Sequence, residues 1–276
     1  MEPQRDLAIV LRSTPYEERH RIVVALTENH GQIAAMARNA VQSRRFGGSL
    51  DLFVASEWHF SLKPGSSLYQ LSEALVREPF DHIRKSFEKL TLASIFSELA
   101  LRASVPEIGQ EGGRSDLFRL HSNALFTLNE TTQTDIEIPL LNAYVAKLLQ
   151  WSGNQPRLQS CLECGILLEE ISPHVEVNCL IANACWICLK CSAKGTRHIK
   201  NREGESLAHS MLKLSALVVG DFQTCLRTPI RQVAAKLKAS VEEHRNLFKY
   251  SEALYIYHIP GFDKKALNGL RFLGLG

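Results

Sequence analysis

No stretch of the 276 residues stays apolar for the roughly 18 positions that a membrane-crossing helix needs. No transmembrane span and no membrane partner are therefore expected. The opening residues Met1-Glu-Pro-Gln-Arg-Asp6 lack a basic patch followed by an apolar core, so a secretory signal is not expected either. Internal repeats and low-complexity tracts are missing. So are the Gly-x-x-x-x-Gly-Lys-Ser/Thr phosphate loop, the Gly-x-Ser-x-Gly elbow and the His-Glu-x-x-His metal motif. The ten histidines are scattered. Acids such as Glu17/Glu18 and Glu169/Glu170 stand as adjacent pairs, an arrangement typical of solvated surface, and no carboxylate cluster of the kind a metal-dependent nuclease needs is visible. The chain is not expected to be an enzyme. Charge of one sign is also scarce in excess: 32 Lys and Arg oppose 29 Asp and Glu, a formal +3. Any case for nucleic acid must rest on where the basic residues fall.

Cysteine is concentrated instead. Six of the seven fall within residues 161–191, where the pairs Cys161/Cys164 and Cys188/Cys191 bracket 23 residues. Each Cys-x-x-C turn aims two sulfurs at one point, and two turns complete the tetrahedral four-sulfur site that zinc favours. Gly165 follows the first turn, where a positive φ is needed. The spacer is slightly longer than the usual range of about 15–20 residues. Disulfides would need an oxidising compartment and an even count. A redox dithiol would follow a strand in a βαβ setting, which is not seen. Cys185-x-x-Cys188 also has ligand spacing, so Cys185 competes with Cys191. Cys188/Cys191 is preferred because Trp186 and Ile187 then fill the apolar entry to the turn. His174 is a weaker substitute ligand, and Cys179 and Cys225 read as small core residues. Four thiolates make a closed site, so structural Zn2+ rather than catalysis is expected. Metal-bound thiolates with a divalent cation would bring the formal charge to +1.

The first eighty residues read as five short strands: 7–11, 21–27, 32–37, 50–62 and 68–76, with Ser13-Thr-Pro-Tyr16 as a turn. Their spacing suggests a small barrel or sandwich. Between strands three and four, Arg38-Asn-Ala-Val-Gln-Ser-Arg-Arg-Phe-Gly-Gly48 holds three arginines and no acid. Arg38, Arg44 and Arg45, with Phe46 interleaved and Gly47-Gly48 giving the backbone room to move, suit a single-stranded backbone and its bases; a solvated loop is the plainer alternative. From Asp81 the period becomes helical through Leu99, then again over 115–128 and 135–151. Past the cysteines, residues 194–202 carry four basic side chains and no acid, making Lys194, Arg197 and Lys200 candidate phosphate contacts. Residues 207–219 read as helix, a long helix is expected from Thr228-Pro-Ile through Lys249, and a final helix after Pro260-Gly261.

Several of these segments together resemble the RecO family of bacterial recombination mediators. Val10-Leu-Arg12, Pro15-Tyr-x-Glu18, Ile22-Val23, Thr27-Glu-x-x-Gly31, Ala37-Arg38, Ser43-Arg44 and Gly48-x-Leu50 follow its amino-terminal pattern. Trp151-x-Gly153-x-x-Pro156-x-Leu158-x-x-Cys161-x-x-Cys164-Gly165 follows its central one, and Leu267-x-x-Leu270-Arg-Phe-Leu273 its closing helix. Two positions depart. Arg38-Asn39 stands where lysine followed by glycine is common, and Ala184-Cys185 where Gly-Gly is common. The resemblance implies an α+β multi-domain chain: an N-terminal OB-fold β-barrel (1–80), then an all-α domain (81–157 and 199–276) carrying a four-cysteine zinc knuckle (158–198). It implies binding of single- and double-stranded DNA, with Arg12 joining the basic candidates, and strand annealing. It further implies RecR, the C-terminal tail of single-stranded DNA-binding protein and, indirectly, RecA as partners, in a cytoplasmic, nucleoid-associated setting. The competing class is a zinc-ribbon transcription or assembly factor that binds proteins.

Overall fold

The computed structural model describes residues 3–104, 114–194, 211–262 and 266–275. Its contacts group the chain into two units, Met1–Thr131 with Leu267–Phe272, and Thr132–Ala266 with Leu273–Gly276.

The first unit is built on a closed five-stranded barrel. Strands β1 (Gln4–Tyr16), β2 (His20–Thr27), β3 (Gly31–Ala37), β4 (Ala55–Ser61) and β5 (Tyr69–Glu78) run in the order β1-β2-β3-β5-β4, with β4 returning to β1. The β3–β5 ladder is parallel and the others antiparallel, the arrangement of an OB-like barrel. A bulge between Val10 and Arg12 bends β1, whose residues 4–9 pair with β4 and whose residues 8–16 pair with β2. Ser13-Thr-Pro-Tyr16 is strand rather than turn. Pro15 is tolerated because that half of β1 pairs only with β2, where it lies opposite Arg21. The reversal moves to residues 17–19, with Glu17 at φ +51°.

Small residues alternate with large ones inside the barrel. Ala8, Ala25, Ala35 and Ala74 leave room for the fully buried rings of Trp58 and Phe60. Phe46 and Leu50, from the segment between β3 and β4, complete the same cluster. Ile9, Leu11, Val24 and Leu26, on the opposite face of β1 and β2, are buried too. Helices α1 (Phe87–Ala103) and α2 (Arg114–Glu130) pack there, so the strands are covered on both faces. The expected helix from Asp81 begins with a 3-10 turn, and Ser86 restarts it by accepting the Lys89 N–H at 3.3 Å.

In the second unit, α3 (Glu137–Trp151) is apolar on nearly every face and packs against later helices. Strands β6 (Glu176–Leu180) and β7 (Cys185–Ile187) and the short helix α4 (Leu189–Ala193) carry the cysteines. Strand β8 (Met211–Ser215) completes a sheet of order β7-β6-β8. It corrects the helix expected over 207–219, since Met211 to Ser215 pairs with β6 across a long sequence gap. Helix α5 (Ala216–Arg227) begins only at Ala216, with Ser215 accepting from Val218 N–H at 3.3 Å.

The long helix expected from Thr228 to Lys249 is also broken. Helix α6 (Ile230–Val233) ends in a 3-10 turn, and α7 (Val241–His258) starts afresh. Asp221 captures the N–H groups of Lys238 (2.8 Å) and Ala239 (2.7 Å), which a continuous helix would have used internally. Ser240 and Glu243 then form a reciprocal capping box. The closing helix is a 3-10 turn, Leu270–Leu273.

Candidate metal centre and nucleic-acid face

Two turns bring four sulfurs together. After Cys161, the chain reverses through the Gly165 N–H to Cys161 carbonyl bond (3.0 Å), and Gly165 takes φ +74°. The Leu162 N–H donates to the Trp186 carbonyl at 3.0 Å, seating this turn beside β7. Cys188 caps α4, its sulfur accepting from the Cys191 N–H at 3.4 Å, while its own N–H points at Cys161 Sγ at 3.3 Å. The sulfurs of Cys161, Cys164, Cys188 and Cys191 all lie within 4.8 Å of one another. Cys164 and Cys188 are 3.8 Å apart. A tetrahedron with metal–sulfur bonds of about 2.3 Å has edges of about 3.8 Å, so the four side chains fit a bound cation. His174 and Cys185 are not in this group.

The thiols are electrostatically unequal. Burial opposes ionisation of Cys161, but backbone N–H groups of Cys164, Cys188 and Glu163 outweigh it and hold the thiol down at about 7. Cys191 is pushed up to about 12 by its sulfur neighbours Cys188 and Cys164. A divalent cation reverses that repulsion and favours all four thiolates. Cys185 is buried in β7 and pushed up to about 11 by that burial. Cys179 and Cys225 are fully buried among apolar side chains, and burial raises both thiols.

The surrounding scaffold is tied to α7. Tyr250 donates its hydroxyl between the carbonyls of Leu180 and Cys185, 3.3 Å from each. His258 meets the Ile181 carbonyl at 2.8 Å, and Trp186 Nε1 donates to the Leu158 carbonyl at 2.9 Å.

Of the basic candidates, Arg12, Arg38, Arg44 and Arg45 are exposed, and among the described residues none forms an ion pair. Arg12 sits just past the β1 bulge opposite Val24, and Arg38 directly after β3. Lys194 is exposed at the end of α4, in the other unit; Arg197 and Lys200 lie outside the described residues. Phe46 differs from its expected role: it is 2% exposed inside the barrel and offers no face to a base. The segment around it is fixed rather than loose. The Ala74 N–H donates to the Arg45 carbonyl at 3.2 Å, and Gly47 (φ +24°) and Gly48 (φ +83°) serve tight turns.

Sequence reasoning passed over Tyr16, Arg19 and His20. The Val41 N–H donates to the Arg19 carbonyl (3.3 Å) and the Asn39 N–H to His20 Nδ1 (2.9 Å), placing the β1–β2 turn beside the residues that follow Arg38. Tyr16 there is 43% exposed. An aromatic directly before a turn that carries a basic residue was the available signal.

Both departures from the family pattern fall on left-handed backbone. Asn39 has φ +56° and Ala184 φ +46°, the conformation that glycine adopts without cost.

The chain matches the family model described as Recombination protein O N terminal over residues 1–80 and that described as Recombination protein O C terminal over residues 84–267. It is similar to the DNA repair protein RecO of Desulfosudis oleivorans, with 30% identity over 192 residues covering 68% of this chain and 71% of that protein. Against the DNA repair protein RecO of Cutibacterium acnes, identity is 30% over 226 residues, covering 80% and 85%. Against that of a Synechococcus species it is 28% over 202 residues, covering 68% and 64%. A closed barrel, a four-cysteine cluster and family models that match 1–80 and 84–267 agree: this chain belongs to the RecO family.

Proposed function

We propose that the protein is a DNA-binding recombination mediator in DNA repair. It binds single- and double-stranded DNA, anneals complementary strands and helps RecA load onto DNA coated with single-stranded DNA-binding protein, whose C-terminal tail it contacts, in concert with RecR. The supporting observation is that family models match residues 1–80 and 84–267 while the barrel holds Arg38, Arg44 and Arg45 exposed on a fixed segment and, among the described residues, without ion pairs. Guanidinium groups presented this way displace condensed counterions from phosphates and reduce the repulsion between two strands being paired. Neither step needs bond cleavage, and we assign no catalytic residue and no enzymatic turnover. The cysteine cluster takes structural Zn2+, which four thiolates select over harder cations. Its role is to hold the 161–191 segment in shape. Action on chromosomal DNA places the protein in the bacterial cytoplasm, at the nucleoid.

A gel shift of single-stranded DNA, bare and coated with its binding protein, across a salt series tests the proposal. Four phosphate contacts predict a log–log salt slope of about −3. Changing Arg38, Arg44 and Arg45 to Ala together should reduce that slope and weaken annealing. Tight binding with no salt dependence, or binding only to proteins, would favour a zinc-ribbon assembly factor instead.

A further inference from the structure

The second unit contains a cleft of about 340 Å³ between residues 155–160, which lead into the first cysteine turn, and the last turn of α5. Arg157 and Arg227 both line it, and both are exposed. No acidic side chain is among the lining residues, and among the described residues neither guanidinium has an ion-pair partner. Gln155, Gln159, Ser160 and Gln223 supply neutral hydrogen-bonding groups between them. The apolar members, Pro156, Leu158 and Leu226, are buried residues, so the exposed side chains of the cleft are polar.

The walls are fixed. The Arg157 N–H donates to the Ala184 carbonyl at 2.7 Å, and Arg157 also bridges Cys185 of β7. On the other side, a helix C-terminus would ordinarily repel an anion through its free carbonyls. Here Lys147 Nζ donates to the Leu226 carbonyl at 2.6 Å and offsets that charge.

We propose that this cleft binds backbone phosphate of nucleic acid, as a second contact site apart from the barrel arginines. Two guanidinium forks with amide and hydroxyl groups between them match a tetrahedral phosphodiester. An acidic peptide would ordinarily also want a socket for its apolar side chains. The inference rests on the DNA-binding function proposed above and adds a location to it.

The test uses the full chain with its metal. In fluorescence-anisotropy titrations of single-stranded DNA, Arg157→Ala/Arg227→Ala should flatten the log–log salt slope by about 1.4, at about 0.7 per lost phosphate contact. With affinities converging near 1 M salt, that makes the variant roughly 25-fold weaker at 0.1 M. Arg157→Lys/Arg227→Lys should keep most of the slope, and equal metal content and melting temperature show that the variants fold. If wild type binds with its expected slope and the alanine variant shares it, the cleft proposal is overturned while the functional one stands. If wild type binds no DNA, the functional proposal falls and takes this one with it. A cleft that binds inorganic phosphate or an acidic peptide in an arginine-dependent way, with the DNA slope unmoved, also overturns it.

Discussion

The backbone N–H of Arg157 donates to the carbonyl of Ala184 at 2.7 Å, and Ala184 reaches that position with φ +46°. This bond ties the segment before the first cysteine turn to the strand before the second, so the left-handed residue is kept despite its strain. An L-residue with a Cβ pays roughly 1–2 kcal/mol there, of which glycine's extra freedom in the unfolded chain would return about half. Ala184→Gly is therefore expected to stabilise the protein by about 0.5–1 kcal/mol. The readout is a higher denaturant midpoint at unchanged m-value. Ala143→Gly, inside α3, should do the opposite by about 1 kcal/mol.

Asp221 organises the break between α6 and α7. Its carboxylate takes the N–H groups of Lys238 and Ala239 and lies 3.2 Å from the buried His244 Nε2. The His244 carbonyl in turn accepts from the Asn142 side chain (2.8 Å), whose own oxygen accepts from Ser251 (2.9 Å). These four residues are at most 3% exposed. Asp221→Ala leaves two donors and an imidazole unsatisfied and should cost about 2–4 kcal/mol in equilibrium unfolding. Ser240→Ala removes only the cap and should cost about 1 kcal/mol. Equal costs for the two would contradict this account.

Metal content separates the two candidate cysteines. The proposed zinc site predicts one ion per chain in wild type, which Cys191→Ala should lose. Cys185→Ala should retain it and lose on the order of 1 kcal/mol for a small core cavity. Elemental analysis of both purified variants decides the matter, and retention by Cys191→Ala alone would reverse the assignment. Because the ligands must be thiolates, acidification should release the ion.

Much of this was legible locally. Short apolar, β-branched runs bounded by turn residues marked the barrel strands, and two Cys-x-x-C turns announced their own convergence. The failures share one cause, which is long-range competition. The 211–215 stretch alone has no reason to prefer strand over helix; its partner β6 lies some thirty residues away. Helical periodicity runs straight through Lys238 and Ala239, and only a carboxylate from α5 stops it. Arg157 and Arg227 are seventy positions apart and gave no signal at all until the fold brought them to one cleft.

Phe46 offers a direct contrast between barrel core and binding surface. A ring 2% exposed and packed with Leu50, Trp58 and Phe60 should cost about 3–5 kcal/mol when cut to alanine. Below the variant's melting temperature, the salt slope of DNA binding should remain that of wild type. Arg44→Ala/Arg45→Ala should show the reverse pattern, with unchanged stability and a flatter slope.

Acid sensitivity of the barrel should concentrate at Glu57. Its side chain, 10% exposed, accepts from Arg5 at 2.6 Å and Arg77 at 2.7 Å, with His59 at 3.2 Å. The hydrogen bonds from Arg5 first, and then Arg77, hold its carboxyl at about 2 against an ordinary 4.5. The folded chain thus binds this proton less readily than the unfolded one. The resulting stabilisation is complete above the ordinary value and is lost as pH falls from about 4.5 toward 2. Glu57→Gln cannot titrate, so its melting temperature should fall less steeply than wild type's across that window, and the gap between them should narrow with acid. At neutral pH the variant should be the less stable of the two, since Arg5 and Arg77 then face each other without an anion. Parallel melting curves from pH 7 to pH 2 would show that the carboxylate contributes nothing of the kind.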